Sequence, residues 1–201
     1  QTLNGADISL EKIQSSYHGG EVMTGSHATK RSFLRQIPEF DIIHLYTHAI
    51  ADNVDQEPAV YFYDSALNLS ELQDLSDVRT QLIVLFACNS GVGKTVKGEG
   101  VFSLARGFAA AGIPSTVSAL WEIDNKATYH LAELFFEELA KGEPSDIALQ
   151  RAKLKMISDY DREYELPYYW AGAVLIGKAQ LYPPWKENYI LQNRLLLGGL
   201  L

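Results

Sequence analysis

The chain has 201 residues, of which 47% are apolar, so it is long enough and hydrophobic enough to bury a substantial core. Its 17 basic and 25 acidic residues give a net charge of −8, with no basic run. A nucleic-acid interface is not expected, because neutralising phosphates requires clustered lysine and arginine. The one cysteine excludes an internal disulfide and a cysteine-based zinc site. This composition favours a reducing, cytoplasmic environment and predicts no metal or other cofactor.

Hydrophobic periodicity and Gly/Pro positions predict alternating helices and strands. In chain order the pattern predicts a helix at 8–17, a strand at 21–24, a helix at 26–36, a strand at 41–47, a hairpin of strands at 59–63 and 66–69, a helix at 70–75, a strand at 81–87, a helix at 101–111, a strand at 115–120, helices at 125–141 and 145–158, and a strand at 168–177. Ser26 and Ser70 are the expected N-caps of the second and third helices, and Asp64-Ser65 is the expected hairpin turn. This alternation favours an α/β fold with a mostly parallel sheet and helices on both faces.

We expect further domains before the first residues of the chain, and a tail with a separate role at its other end. The first residues show no signal-peptide pattern and are typical of an entry into a longer protein. Residues 189–201 are apolar but contain Arg194 and are too short to span a bilayer. Two interpretations are open for them: a docking helix, or the truncated start of a membrane anchor, which is the only membrane link the sequence suggests. We therefore divide the chain into a domain over 1–178 and a C-terminal tail over 179–201.

A short motif after the predicted strand 81–87 resembles part of a nucleotide-binding loop. Gly93-Lys94-Thr95 matches the end of the pattern G-x-x-x-x-G-K-[ST], but the position that should hold its first glycine is Cys88. Residues 96–100 also separate the Lys-Thr pair from the next predicted helix, whose N-terminus should face the phosphates. Nucleotide binding is therefore a remote alternative.

Cys88 and His48 are the candidate catalytic residues. Each follows a predicted buried strand, and the carboxyl ends of neighbouring parallel strands share the edge where α/β proteins place their chemistry. A thiol with a pKa of ~8.5 supplies little thiolate at neutral pH, and an adjacent imidazole can take its proton and later protonate a leaving amine. His44 lies about 13 Å earlier along its strand and is expected to be a core histidine. The alternative for Cys88 is a buried structural thiol.

Several short motifs are distributed over about residues 3–177. They are ATK at 28–30, FL at 33–34, DIIH at 41–44, TH at 47–48, LFACNSG at 85–91, GEG at 98–100, LAR at 104–106, AG at 111–112, LWEID at 120–124 and PYYWA at 167–171. Taken together, they make the sequence similar to the CHAT domain family, relatives of caspases and separases in the caspase–haemoglobinase clan of cysteine peptidases. The resemblance implies a three-layer caspase–haemoglobinase-like fold. It also implies a cysteine endopeptidase with His48 and Cys88 as its dyad.

The resemblance also implies the remaining parts of the site. The backbone amides of Cys88 and Ala49 would stabilise the oxyanion; Ala49 replaces the glycine usual in the clan, and its methyl group is expected to narrow the approach of a substrate. Ser118, Trp121 and Asp124 would line the substrate pocket, with Asp124 pairing with a basic residue. The alternative for Asp124 is the N-cap of the following helix.

The implied biological role is that of a regulated bacterial protease. The enzyme would cleave a protein partner in the cytoplasm, under the control of upstream sensor domains of the tetratricopeptide type, in defence or signalling. The alternative is a catalytically silent scaffold that keeps the CHAT fold for protein interaction.

Overall fold

The computed structural model describes residues 5–16, 20–50, 57–72, 74–75, 78–88, 99–158, 164–182 and 195–199, with 50, 87–88, 99–103 and 195–199 described by their backbone. The helices are α1 (Ala6–Ser16), α2 (Lys30–Gln36), α3 (Leu69–Leu72), α4 (Glu99–Ala110), α5 (Asn125–Ala140) and α6 (Ser145–Ser158). The strands are β1 (Glu21–Thr24), β2 (Ile42–Ile50), β3 (Ala59–Tyr61), β4 (Ala66–Asn68), β5 (Leu82–Cys88), β6 (Ser115–Ala119), β7 (Ala173–Gly177) and β8 (Leu195–Gly199).

Most strands join one sheet with the order β1-β8-β2-β5-β6-β7. Every neighbouring pair along this path is parallel except β6 and β7. The β3–β4 hairpin pairs antiparallel with the last two residues of β2. The predicted α/β fold with a mostly parallel sheet is confirmed.

The two faces of the sheet carry separate hydrophobic clusters, because successive strand residues point to opposite sides. Even-numbered residues of the central strands, such as Tyr46 and Val84, pack with α1, α5 and α6. Odd-numbered residues, such as Leu45 and Leu85, pack with α2, α3 and α4. Helices on both faces give the three layers that the sequence predicts.

The predicted caps of α2 and α3 are wrong. Residues Gly25–His27 form a single 3-10 turn, so Ser26 lies before the helix, and the N-cap is Thr29, whose Oγ1 accepts the Ser32 N–H at 3.0 Å. Ser70 lies inside α3. The entry to that helix is instead held by Glu71, whose carboxylate accepts the Asn68 N–H at 2.9 Å.

The C-terminal part of the chain differs most from the expectation. The predicted strand at 168–177 is shortened to Ala173–Gly177, after a 3-10 turn at Pro167–Tyr169. The docking helix predicted within 189–201 is wrong for Leu195–Gly199, which is a strand between β1 and β2. The remainder of that segment lies outside the described residues, and the domain boundary at 178 stays a prediction. Within the described chain, no helix combines the length and apolar character needed to cross a membrane.

Helices α5 and α6 are joined by a charge network centred on Glu138, which is 3% exposed. Its carboxylate accepts hydrogen bonds from Lys141 Nζ and Lys155 Nζ, each at 2.8 Å, and Arg151 lies 3.6 Å away. Burial acts to raise the pKa of Glu138, but the hydrogen bonds from the two lysines outweigh it and lower the pKa to about 2. The folded protein therefore holds a buried carboxylate that stays ionised.

Replacing Glu138 by Gln is expected to lower the free energy of unfolding by about 1–2 kcal/mol at neutral pH, because both charge-assisted hydrogen bonds are weakened. Glu137→Gln is the matched control: Glu137 contacts the same two lysines but is 45% exposed, so its loss should cost under about 1 kcal/mol. Urea unfolding of both variants measures the difference. Equal losses of unfolding free energy in the two variants would show that the buried carboxylate of Glu138 stabilises the fold no more than the exposed one of Glu137.

Candidate active site

The candidate dyad residues are register partners on neighbouring strands. Strands β2 and β5 pair in parallel from Ile42 opposite Leu82 to His48 opposite Cys88. Adjacent strands lie about 4.8 Å apart, so the backbones of His48 and Cys88 are direct neighbours. Strand β5 ends at Cys88, and this pair therefore lies at the carboxyl end of the central strand.

The end of β2 is anchored by the β3–β4 hairpin. His48 was predicted to follow the strand, but β2 continues to Ile50 because β3 supplies an antiparallel partner, with Ala49 opposite Val60. The Thr47 hydroxyl donates a hydrogen bond to the Tyr61 carbonyl, which fixes the two strands directly beside the histidine. His48 is half-buried and Ala49 is buried. The sequence analysis did not predict that Thr47 anchors the end of β2. The position of Thr47 next to His48 at a strand end was the only sign of this role.

His44 is a core residue, as the sequence predicts. It is fully buried, and its ring makes edge contacts with Tyr46 and Phe136. Its Nδ1 lies 3.2 Å from the Val84 carbonyl, which can only accept, so Nδ1 carries the proton. Burial lowers the pKa of His44 to about 3, against the opposing effect of that hydrogen bond. A histidine held neutral in this way does not exchange protons near neutral pH.

Two of the residues predicted to line the pocket, Ser118 and Trp121, are held by hydrogen bonds to backbone carbonyls. Ser118 is 4% exposed, and its hydroxyl donates to the Leu85 carbonyl at 3.1 Å within the sheet. Trp121 is half-buried, and its Nε1–H donates to the Tyr168 carbonyl at 2.9 Å. A Cβ at Gly172 would lie 2.6 Å from the indole, so a glycine is needed where the ring crosses the 167–172 turn. Trp121 is thus fixed beside that turn, while the Ser118 side chain has no open face for a substrate.

Asp124 is the N-cap of α5. Its Oδ1 accepts the N–H groups of Lys126 at 2.9 Å and Ala127 at 3.2 Å. The capping alternative for Asp124 is confirmed, and the residue is exposed to solvent. Its pairing with a basic substrate residue stays a prediction. Gly93-Lys94-Thr95 lies outside the described residues.

Comparisons with known proteins identify relatives of the chain. The family model of the CHAT domain matches residues 2–178. Tetratricopeptide repeat protein 28 of Mus musculus is 24% identical over 197 residues, an alignment that covers 79% of this chain and 8% of that protein. Tetratricopeptide repeat protein 28 of Homo sapiens is 25% identical with the same coverage. The chain therefore spans about 8% of the length of these curated relatives.

Proposed function

The chain belongs to the CHAT domain family, which is related to caspase-like peptidases, and from this we propose that it is a cysteine endopeptidase with a His48–Cys88 dyad. The observation that carries the proposal is the register of β2 and β5, in which these two residues are opposite each other at the end of the central strand. An imidazole beside a thiol can take its proton and so raise the fraction of thiolate at neutral pH.

In the proposed mechanism His48 takes the thiol proton and the Cys88 sulfur attacks the carbonyl carbon of the scissile peptide bond. The tetrahedral oxyanion is stabilised by the backbone amides of Cys88 and Ala49, and His48 then protonates the leaving amine. Water attacks the resulting thioester with His48 again acting as the base, which frees the second product and restores the thiol. The half-buried position of His48 supports this role, because the residue lies in the strand and is still partly accessible to solvent.

The proposed substrate is a segment of a protein partner. Trp121 and Asp124 are the proposed contacts of this segment, since Trp121 is rigidly held and Asp124 is exposed. The burial of Ser118 leaves it supporting β6 instead of contacting substrate through its side chain. Because the curated relatives are named for tetratricopeptide repeats, we propose that such repeats accompany this domain and regulate it in the cytoplasm.

The alkylation rate of Cys88 tests the proposed dyad without knowledge of the substrate. Cys88 is the only cysteine, so the rate of reaction with iodoacetamide reports on it alone. At a pH of about 6.5 an unperturbed thiol is only about 1% thiolate, and an activated Cys88 should react at least about tenfold faster than a cysteine peptide.

The His48→Gln variant should bring that alkylation rate down to the rate of the peptide. His27→Gln removes an exposed histidine as the matched control and should leave the rate unchanged. A wild-type rate no faster than that of the peptide, or a rate that His48→Gln leaves unchanged, would contradict the dyad and favour the catalytically silent scaffold.

A further inference from the structure

A shallow groove runs between helix α2 and the turn of the β3–β4 hairpin. It is lined by Lys30, Arg31, Leu34 and Arg35 on the helix side and by Asp64 and Ser65 on the hairpin side. The groove lies over the sheet face opposite to α1, α5 and α6, since α2 packs with the second hydrophobic cluster.

The two walls of this groove are tied to each other by hydrogen bonds. Asp64 Oδ1 accepts the backbone N–H of Lys30 at 2.7 Å, and the Tyr63 N–H donates to the Ala28 carbonyl at 3.0 Å. The Lys30 ammonium donates to the Ala66 carbonyl at 3.0 Å and also pairs with Glu71. The groove is therefore preformed, which reduces the entropy lost when a ligand binds.

The groove is positively charged on a chain whose net charge is −8. The positive charge of Lys30 is paired with the carboxylate of Glu71. Asp64 keeps its negative charge, and its Oδ1 accepts the backbone N–H of Lys30. Arg31 and Arg35 are exposed, and neither has an acidic partner within the part of the chain that the structure describes. Two unmatched guanidinium groups one helical turn apart are thus available to a ligand.

The spacing of these arginines suits an extended acidic peptide. Residues four apart on a helix are separated by about 6 Å along its axis. Alternate residues of an extended chain are separated by about 6.6 Å and point to the same side. A guanidinium group binds a carboxylate through two parallel hydrogen bonds, which an ammonium group cannot do.

We propose that this groove binds an acidic segment of a protein partner in an extended conformation. Carboxylates two positions apart pair with Arg31 and Arg35, and the half-buried Leu34 contacts the aliphatic part of the segment between them. The proposal does not involve His48 or Cys88, so it stands or falls independently of the proposed peptidase activity.

Fluorescence anisotropy of the purified chain with a labelled peptide of alternating Glu and Ser tests this binding. The double variant Arg31→Gln/Arg35→Gln should weaken binding at least about tenfold, because two charge-assisted contacts are lost. The matched control, Lys12→Gln/Lys178→Gln, removes the same charge from two exposed residues elsewhere and should change the affinity by less than about twofold. A peptide with Gln in place of Glu should not bind.

The charge-reversed variant Arg31→Glu/Arg35→Glu should lose the Glu–Ser peptide and bind a Lys–Ser peptide instead. Equal weakening by the two Gln double variants would reduce the effect to overall charge and overturn the proposal. The absence of saturable binding to the wild-type chain would also overturn it. A labelled phosphoserine peptide that binds at least about tenfold more tightly than the Glu–Ser peptide would identify a phosphate-bearing ligand and reject an acidic peptide.

Discussion

Replacing Cys88 by Ala is expected to lower kcat/KM for the cleavage of a cognate protein substrate by at least about 10³-fold, because no nucleophile remains to form the acyl-enzyme. His48→Gln should have an effect of similar size, since the amide cannot take the thiol proton. The two residues are proposed to act as one unit. The double variant should therefore be no less active than either single variant, in contrast to the product of two independent losses.

The measurement needs a substrate, which profiling a peptide library with the wild-type protein would supply. His27→Gln is the control for the loss of an imidazole and should retain full activity, because this histidine is exposed and lies before α2. Urea unfolding of Cys88→Ala checks that the fold is kept. Cleavage that persists in Cys88→Ala, or losses that multiply in the double variant, would contradict the dyad.

The central strands and the opposition of His48 and Cys88 could be predicted because both follow from local patterns. Long apolar runs indicate strands buried on both faces, and parallel neighbours bring their carboxyl ends to one edge. The structure places His48 opposite Cys88 in this way. The extension of β2 beyond His48 could not be predicted, because it depends on pairing with β3. The catalytic roles themselves stay predictions.

Strand β8 could not be predicted from the sequence, for a physical reason. A short apolar run such as Leu195–Leu197 is compatible with a helix or a strand, and the choice depends on which partners offer backbone hydrogen bonds. Here both β1 and β2 present open edges in parallel, and β8 pairs with each of them. Strand β8 lies far from β1 and β2 in the sequence, so no local sequence pattern indicates that they pair.

The helix caps and the groove show the same dependence on tertiary contacts. Ser26 and Thr29 are both acceptable N-caps by residue type. Thr29 is selected because Gly25 adopts a positive φ of 52° in the preceding turn and because Asp64 binds the Lys30 N–H. The same contact joins the two walls of the proposed peptide groove. Both the cap and the groove depend on the contact between the hairpin and α2, for which the sequence carries no local pattern.

His44 makes the stability of the fold depend on pH in a predictable direction. Its pKa in the folded protein is about 3, below the ordinary value of 6.5, because burial disfavours the charged ring. The unfolded chain therefore binds a proton that the folded chain does not, and the stability present above pH 6.5 is lost as the pH falls towards 3. This direction is opposite to that of a histidine paired with a carboxylate.

Urea unfolding at a series of pH values is expected to reveal this proton. Between about pH 6.5 and about pH 4.5 the wild-type protein should lose roughly 2–3 kcal/mol more of its free energy of unfolding than His44→Leu, which has no group to titrate there. Leucine suits the site because His44 is surrounded by Tyr46, Phe86 and Phe136. His27→Leu removes an exposed imidazole and is the control for the general effect of replacing a histidine by leucine. The comparison rests on slopes, so a uniform destabilisation by the leucine does not affect it. Parallel curves for the wild type and His44→Leu would show that the buried ring binds its proton equally in both states.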